Sequence, residues 1–317
     1  MYIRIDPHVH CRDGKKEAYK ETIAHTFKIA NEQGVKVIFD MPPIKSEADV
    51  LKRLSLVPKE EEKNYFLYLV LTSDPRQLEQ AVVIFNKFRQ VIGFKLYACR
   101  SNSKDLSVIN EDDQKQIYKK LAALKYRGVV AVHCEKESFL KPELWDSSNP
   151  ISHSFARPKQ AEMESIKDQI RFVRNTGFQG TLHIVHVSCL GSVEWIESAR
   201  RDIKITCGVT PHHIMWDNRQ QDTPNGLLYK MNPPLRSRPD VLELTECLKA
   251  GQIDWIETDH APHAIGEKLF PPYLSGYPSL YLYKNFVEEF LPGIGISEEQ
   301  IKKLTHDNIC KTFGLKI

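Results

Sequence analysis

Short β-branched and aromatic runs recur along the chain, and between them lie charge-rich segments with amphipathic, helical patterning. The runs predict strands at 3–10, 35–41, 65–71, 91–97, 128–133, 180–186, 203–210 and 253–259. The intervening patterns predict helices at 15–33, 75–89, 112–126, 159–176, 192–201 and 238–250. Strand then helix, repeated about eight times, is the rhythm of a (β/α)8 barrel. No low-complexity linker or composition break divides residues 1–317, so the chain reads as a single domain, with longer loops at 138–158 and 219–236.

Composition narrows the function classes. With 41% hydrophobic and 27% charged residues, disorder and fibrous folds are excluded. The net charge of +3 comes without a Lys/Arg cluster, so neither a nucleic acid nor a membrane surface is the expected partner, and a small molecule is. The apolar run at 66–71 is far short of the roughly 20 residues of a spanning helix, and the N-terminus lacks an apolar signal region. A cytoplasmic location follows as the expectation. Seven scattered cysteines without a CxxC pair predict reduced thiols rather than disulfides or a zinc ribbon.

Ionisable residues gather at the predicted C-terminal strand ends, which form the active face of a barrel. His8-Val-His10 puts two imidazoles on one side of the first strand, because side chains alternate with period two. Neutral imidazoles suit zinc, although such a pair alone is as often incidental. His133 ends the fifth strand and His186 the sixth, and Asp259 ends the last, where a carboxylate can ligate and move a proton. Lys95, alone, reads as an amine snorkelling to solvent. Beside four histidines and a carboxylate, a desolvated amine would instead capture carbon dioxide as a carbamate able to bridge two metals.

The motifs Asp6-Pro-His-Val-His-Cys-Arg12, Gly93-Phe-Lys-Leu-Tyr97, Val132-His-Cys-Glu135, His183-Ile-Val-His-Val-Ser188, Val209-Thr-Pro-His-His213, Met231-Asn-Pro-Pro-Leu-Arg236 and Thr258-Asp-His-Ala-Pro-His-Ala264 resemble the dihydroorotases of the amidohydrolase superfamily, over essentially the whole chain. The resemblance implies two Zn2+ per subunit, one on His8, His10 and Asp259, the other on His133 and His186, bridged by carboxylated Lys95. It implies Asp259 as the catalytic acid and base, and reversible cyclisation of N-carbamoyl-L-aspartate to L-dihydroorotate in pyrimidine biosynthesis. Arg12 would grip the substrate carboxylate through its guanidinium fork, with Asn232 and His263 as further substrate contacts. Relatives also imply a homodimer and, for some, association with aspartate carbamoyltransferase.

Two departures stand out. Pro43, in Asp40-Met-Pro-Pro43, occupies the place where the family has a carboxylate-holding asparagine, and proline has no N–H. Tyr97, Arg100 and Asn102 are candidate replacement donors. The ends leave little room for the small β-sandwich of many relatives, so a barrel-only member is expected. The alternatives are another cyclic-amide hydrolase, such as a hydantoinase, dihydropyrimidinase or allantoinase, and a silent partner of aspartate carbamoyltransferase; barrel phosphoesterases rank last. Cys134 is expected to be a small buried residue, His183, His212 and His213 supporting or structural, and His25, His153 and His306 surface or loop residues. Arg157 and Glu162 are expected to pair at the rim, and the polar loop 98–104 reads equally as a lid or a connection.

Overall fold

The computed structural model describes residues 2–100 and 106–317. Eight parallel strands follow one another in chain order: β1 (Arg4–Val9), β2 (Val35–Asp40), β3 (Tyr65–Val70), β4 (Val91–Tyr97), β5 (Val129–His133), β6 (Thr181–Ile184), β7 (Ile205–Val209) and β8 (Trp255–Ile256). The last strand returns to the first through a parallel bridge between Val9 and His260, with His10 N donating to His260 O at 2.8 Å. This is a (β/α)8 barrel.

The strands are apolar because both faces are buried; all six residues of β3 are shielded from solvent. Ile5, Val37, Phe39, Phe66, Tyr68, Ile92, Ala131 and Trp255 form one core cluster. Phe313 plugs it, with ring centroids 5.0 Å from Phe39 and 5.9 Å from Trp255. A second, larger cluster lies between strands and helices and includes Ile38, Leu67, Leu69, Phe94, Ile117 and Ile170. The N-terminal end of the barrel is thus filled with hydrocarbon, which leaves the polar residues to the opposite mouth.

Helices α1 (Ile23–Glu32), α2 (Glu47–Leu54), α3 (Pro75–Lys87), α4 (Glu111–Ala123), α5 (Ser152–Ala156), α6 (Lys159–Thr176), α7 (Leu190–Ala199), α8 (Pro211–Met215) and α9 (Arg238–Lys249) connect the strands; α10 (Ile265–Leu269) follows β8, with short helical pieces between 279 and 313. Local chemistry explains the boundaries. α6 starts behind Pro158 and stops at Gly177, whose φ of 68° closes the helix, matching the sequence expectation. α1 begins eight residues later than expected, because Gly14 at φ 84° and the turns at 15–20 precede the cap, where Thr22 accepts from His25 N. α2 was not anticipated; Ser46 and Asp49 form a reciprocal capping box ahead of a short amphipathic segment. No helix among the described residues is long and apolar enough to cross a membrane.

Candidate metal and substrate site

β1 points His8 into the barrel mouth, anchored from behind by Asp6. The fully buried Asp6 carboxylate accepts from His8 N at 3.2 Å, Thr258 N at 3.0 Å and Thr258 Oγ1 at 2.5 Å, tying β1 to the end of β8. His8 Nε2 and His10 Nε2 each lie 3.2 Å from Asp259 Oδ1. His10 Nδ1 donates to Met41 O at 3.1 Å, which leaves Nε2 as the free lone pair.

The strands meant to deliver His186 and Asp259 end two or three residues early. β6 stops at Ile184 and β8 at Ile256, and His186 (φ 40°) and Asp259 (φ 48°) both adopt the left-handed conformation. That backbone breaks the ladder and turns each side chain toward the mouth, a strain of roughly 1–3 kcal/mol per residue that clusters at functional sites. His186 Nε2 faces His133 Nδ1 at 3.0 Å, while His133 Nε2 donates to Glu135 Oε2 at 2.8 Å. Lys95 is also buried here, and its Nζ lies 5.1 Å from the Tyr97 ring centre. Burial pushes its pKa down to about 8.

The donor set fits divalent metal. His8 is 1% exposed, yet neither ring nitrogen has a hydrogen-bond partner, and His186 Nδ1 is likewise unpaired. Such orphaned buried groups are costly unless something else ligates them. Burial lowers the His8 pKa to about 4 and drives His186 well below the usual range, so both rings are neutral, the ligating form. His8, His10 and Asp259 present donor atoms within 4.8 Å of one another. Cys99, His133 and Glu135 do so as well, but the Arg157 guanidinium already lies against Glu135 Oε2 at 2.5 Å and Cys99 Sγ at 3.5 Å.

His8, His10, Arg12, Lys95, His133, His186, Asn232 and Asp259 line one cavity together with Pro43 and Tyr97. Arg12 Nε donates to Pro262 O at 3.1 Å and Nη2 to His263 Nε2 at 3.2 Å, so His263 stands behind Arg12. Of the donors considered in place of Pro43, Tyr97 is in the wall, whereas Arg100 pairs with Glu137 at 3.5 Å; Asn102 and most of the loop 98–104 lie outside the described residues.

Two expectations need correction. Arg157 and Glu162 do not pair with each other: Arg157 clamps Glu135 (Nε 3.0 Å from Oε1), and Glu162 accepts from Ser188 N at 2.9 Å and Ser192 Oγ at 2.6 Å, with Arg236 Nη2 at 3.4 Å. His153 is buried, not a surface residue, and its Nε2 lies 3.0 Å from both Met231 O and Asn232 Oδ1, bracing the cavity wall. His306 is partly exposed at the surface, as expected, with its Nδ1 2.7 Å from Ile3 O where the C-terminal segment packs on β1. His25 is half exposed, as expected, and Cys134 is buried.

Two buried acids escaped the sequence reading. Glu135, two residues past His133, and Glu257, two before Asp259, share the strand period with expected ligands, which was the available signal. Burial would raise the Glu135 carboxyl, but Arg157 and His133 hold it well below the usual range. Glu257 accepts from His186 N at 2.5 Å and Trp255 Nε1 at 3.1 Å and binds His183 Nε2 at 3.0 Å. Glu17, Met41, Ala261, Ser275 and Gly276 complete the cavity wall.

No protein-family model matches the chain. It is similar to the dihydroorotases of Brevibacillus brevis (32% identity; 83% of this chain, 61% of the relative) and Macrococcus caseolyticus (31%; 84% and 61%). The dihydroorotase of Staphylococcus aureus is 30% identical, with 98% of this chain and 73% of the relative aligned. The chain therefore spans between 61% and 73% of the length of these curated relatives. Among solved structures, a D-hydantoinase (dihydropyrimidinase) from Thermus sp. superposes with a TM-score of 0.80 at 22% identity over 98% of this chain and 70% of that one. An L-hydantoinase (dihydropyrimidinase) from Arthrobacter aurescens gives 0.83 at 20% identity, with 98% and 70% covered. At those identities the hydantoinases share the barrel, and the closer sequence kinship decides the membership: the chain belongs to the dihydroorotase family.

Proposed function

We propose that this chain is a metal-dependent cyclic amidohydrolase that interconverts L-dihydroorotate and N-carbamoyl-L-aspartate. The observation carrying the proposal is the single cavity in which His8, His10, Lys95, His133, His186 and Asp259 face Arg12. His8, His10 and Asp259 would hold one Zn2+, and His133 and His186 the other, with Lys95 as a bridging carbamate formed when its neutral amine bonds to the carbon of CO2 and releases a proton to solvent. Bound metal supplies Lewis acidity, polarising an amide carbonyl and acidifying water.

The chain's own groups do the rest. The Arg12 fork, steadied by Pro262 O and His263, pairs with a substrate carboxylate, and Asn232, braced by His153, lies in the same wall. In ring opening Asp259 accepts the proton of the attacking water and delivers it to the ring nitrogen as the C–N bond breaks. Ring closure uses the same groups in reverse.

A second reading has one observation in its favour: Pro43 and Glu17 sit in the wall near Arg12 and bring no donor for a carboxylate. It makes the substrate an uncharged cyclic amide of the hydantoin or dihydropyrimidine type. Assaying the Zn2+-loaded protein in both directions with dihydroorotate and carbamoyl-aspartate, beside hydantoin and dihydrouracil, separates them. Turnover of the carboxylated pair, lost in Arg12→Ala and Asp259→Asn, supports the first; turnover of only the uncharged amides replaces it with the second.

A further inference from the structure

The chain leaves β1 through three successive left-handed residues, Arg12 (φ 54°), Asp13 (φ 48°) and Gly14 (φ 84°). Only the third is a glycine, so Arg12 and Asp13 hold a backbone that side-chain-bearing residues disfavour and that persists only where surroundings over-determine it. What over-determines it lies on other elements. Asp40, at the end of β2 and fully buried, accepts from Cys11 N through Oδ1 at 3.0 Å. Its Oδ2 accepts from Tyr65 Oη at 2.6 Å and from Arg53 Nε and Nη2 at 2.9 and 2.6 Å. Arg53, 5% exposed on α2, then donates its remaining nitrogen, Nη1, to Arg12 O at 2.5 Å. On the far side Asp13 N donates to Glu21 O at 3.0 Å, and Asp13 Oδ2 accepts from Ile23 N at 2.8 Å.

We infer that Arg53 is a positioning residue for substrate recognition: anchored by Asp40 and Tyr65, it fixes the Arg12 carbonyl so that the Arg12 side chain turns back over the cavity to Pro262 O and His263. The inference rests on the reading that Arg12 holds a substrate carboxylate. A guanidinium can engage one carboxylate with two nitrogens and a carbonyl with the third, whereas an ammonium gathers its three N–H donors on one nitrogen and cannot span both partners in a fixed fork. Lysine at 53 would therefore keep the buried charge opposite Asp40 and lose the grip on Arg12.

The experiment compares Arg53→Lys, Arg12→Ala and the double variant, each Zn2+-loaded, with dihydroorotate as substrate. Arg53→Lys is expected to raise KM about tenfold, the loss of one charge-assisted contact, with kcat and bound zinc unchanged. A contact made equally in ground and transition states shows this split. In the Arg12→Ala background, where turnover is lost, the same change should alter the Kd for dihydroorotate, measured by calorimetry on all three variants, less than about twofold. Full additivity, or a fall in kcat together with zinc loss, would overturn the inference by making Arg53 a purely structural residue. A crystal structure of Arg53→Lys separates this from failure of the function itself: Arg12 leaving its left-handed conformation upholds the positioning role even if dihydroorotate is not turned over, and an unmoved Arg12 refutes it.

Discussion

A single methyl group at Gly208 should test how tightly the mouth is built. Gly208 lies on β7 beside β8, paired in register with Trp255, and a Cβ there would fall 2.4 Å from Glu257 Cδ and 2.6 and 2.8 Å from its oxygens. Ordinary carbon contacts are about 3.5–4.0 Å, so the carboxylate must move by roughly an ångström. It has nowhere to go, being 0% exposed and held by His183, His186 N and Trp255. Overpacking costs about 1–3 kcal/mol, and each hydrogen bond lost by a buried charge about 1.5–3 kcal/mol. Gly208→Ala is therefore expected to destabilise by about 3–5 kcal/mol in urea unfolding of the metal-free protein, and to weaken zinc retention through the displaced His186 backbone. A loss below about 1 kcal/mol would refute the reasoning. So would full additivity with Glu257→Ala, since removing the carboxylate should relieve the clash.

Arg157→Met leaves Glu135 buried without its cation and should cost about 3–5 kcal/mol, seen as a lower urea midpoint; an unchanged midpoint would show that solvent reaches the carboxylate. Lys268, 5% exposed, donates from Nζ to Lys230 O and Gly276 O at 2.7 and 2.6 Å, and burial, with Lys230 nearby, lowers its pKa from 10.5 to about 7. Between those values the unfolded chain binds the extra proton, so this group makes stability rise with pH from about 7 to 10.5. Lys268→Met should flatten that part of the stability–pH curve, and an unaltered slope in denaturant titrations at pH 7.5 and 9.5 would contradict it. Metal binding to the native mouth should raise Tm with zinc concentration; His8→Ala should reduce that rise and His8→Ala with His186→Ala should abolish it, and a zinc-dependent Tm persisting in the double variant would place the ions elsewhere.

The barrel was legible in the order of residues alone, because apolar runs alternating with amphipathic segments leave a chain few ways to bury both faces of its strands. The residues that line the mouth were legible too: His8 and His10 share a face through period-two alternation, and motifs spread over the chain carried the family. Pro158 and Gly177 bracketed α6 through purely local effects. What depends on distant partners emerged only when the elements packed. That His186 and Asp259 reach the mouth through left-handed residues rather than longer strands is a compromise between ladder hydrogen bonds and the site, invisible to periodicity. Which cation meets which buried acid followed the same rule: Arg157 chose Glu135, Arg236 chose Glu162 and Arg53 chose Asp40, because desolvated charges pair with whatever the packed elements bring within reach. His153, 79 residues from Asn232 in sequence, meets it only because two long loops pack against each other at the mouth.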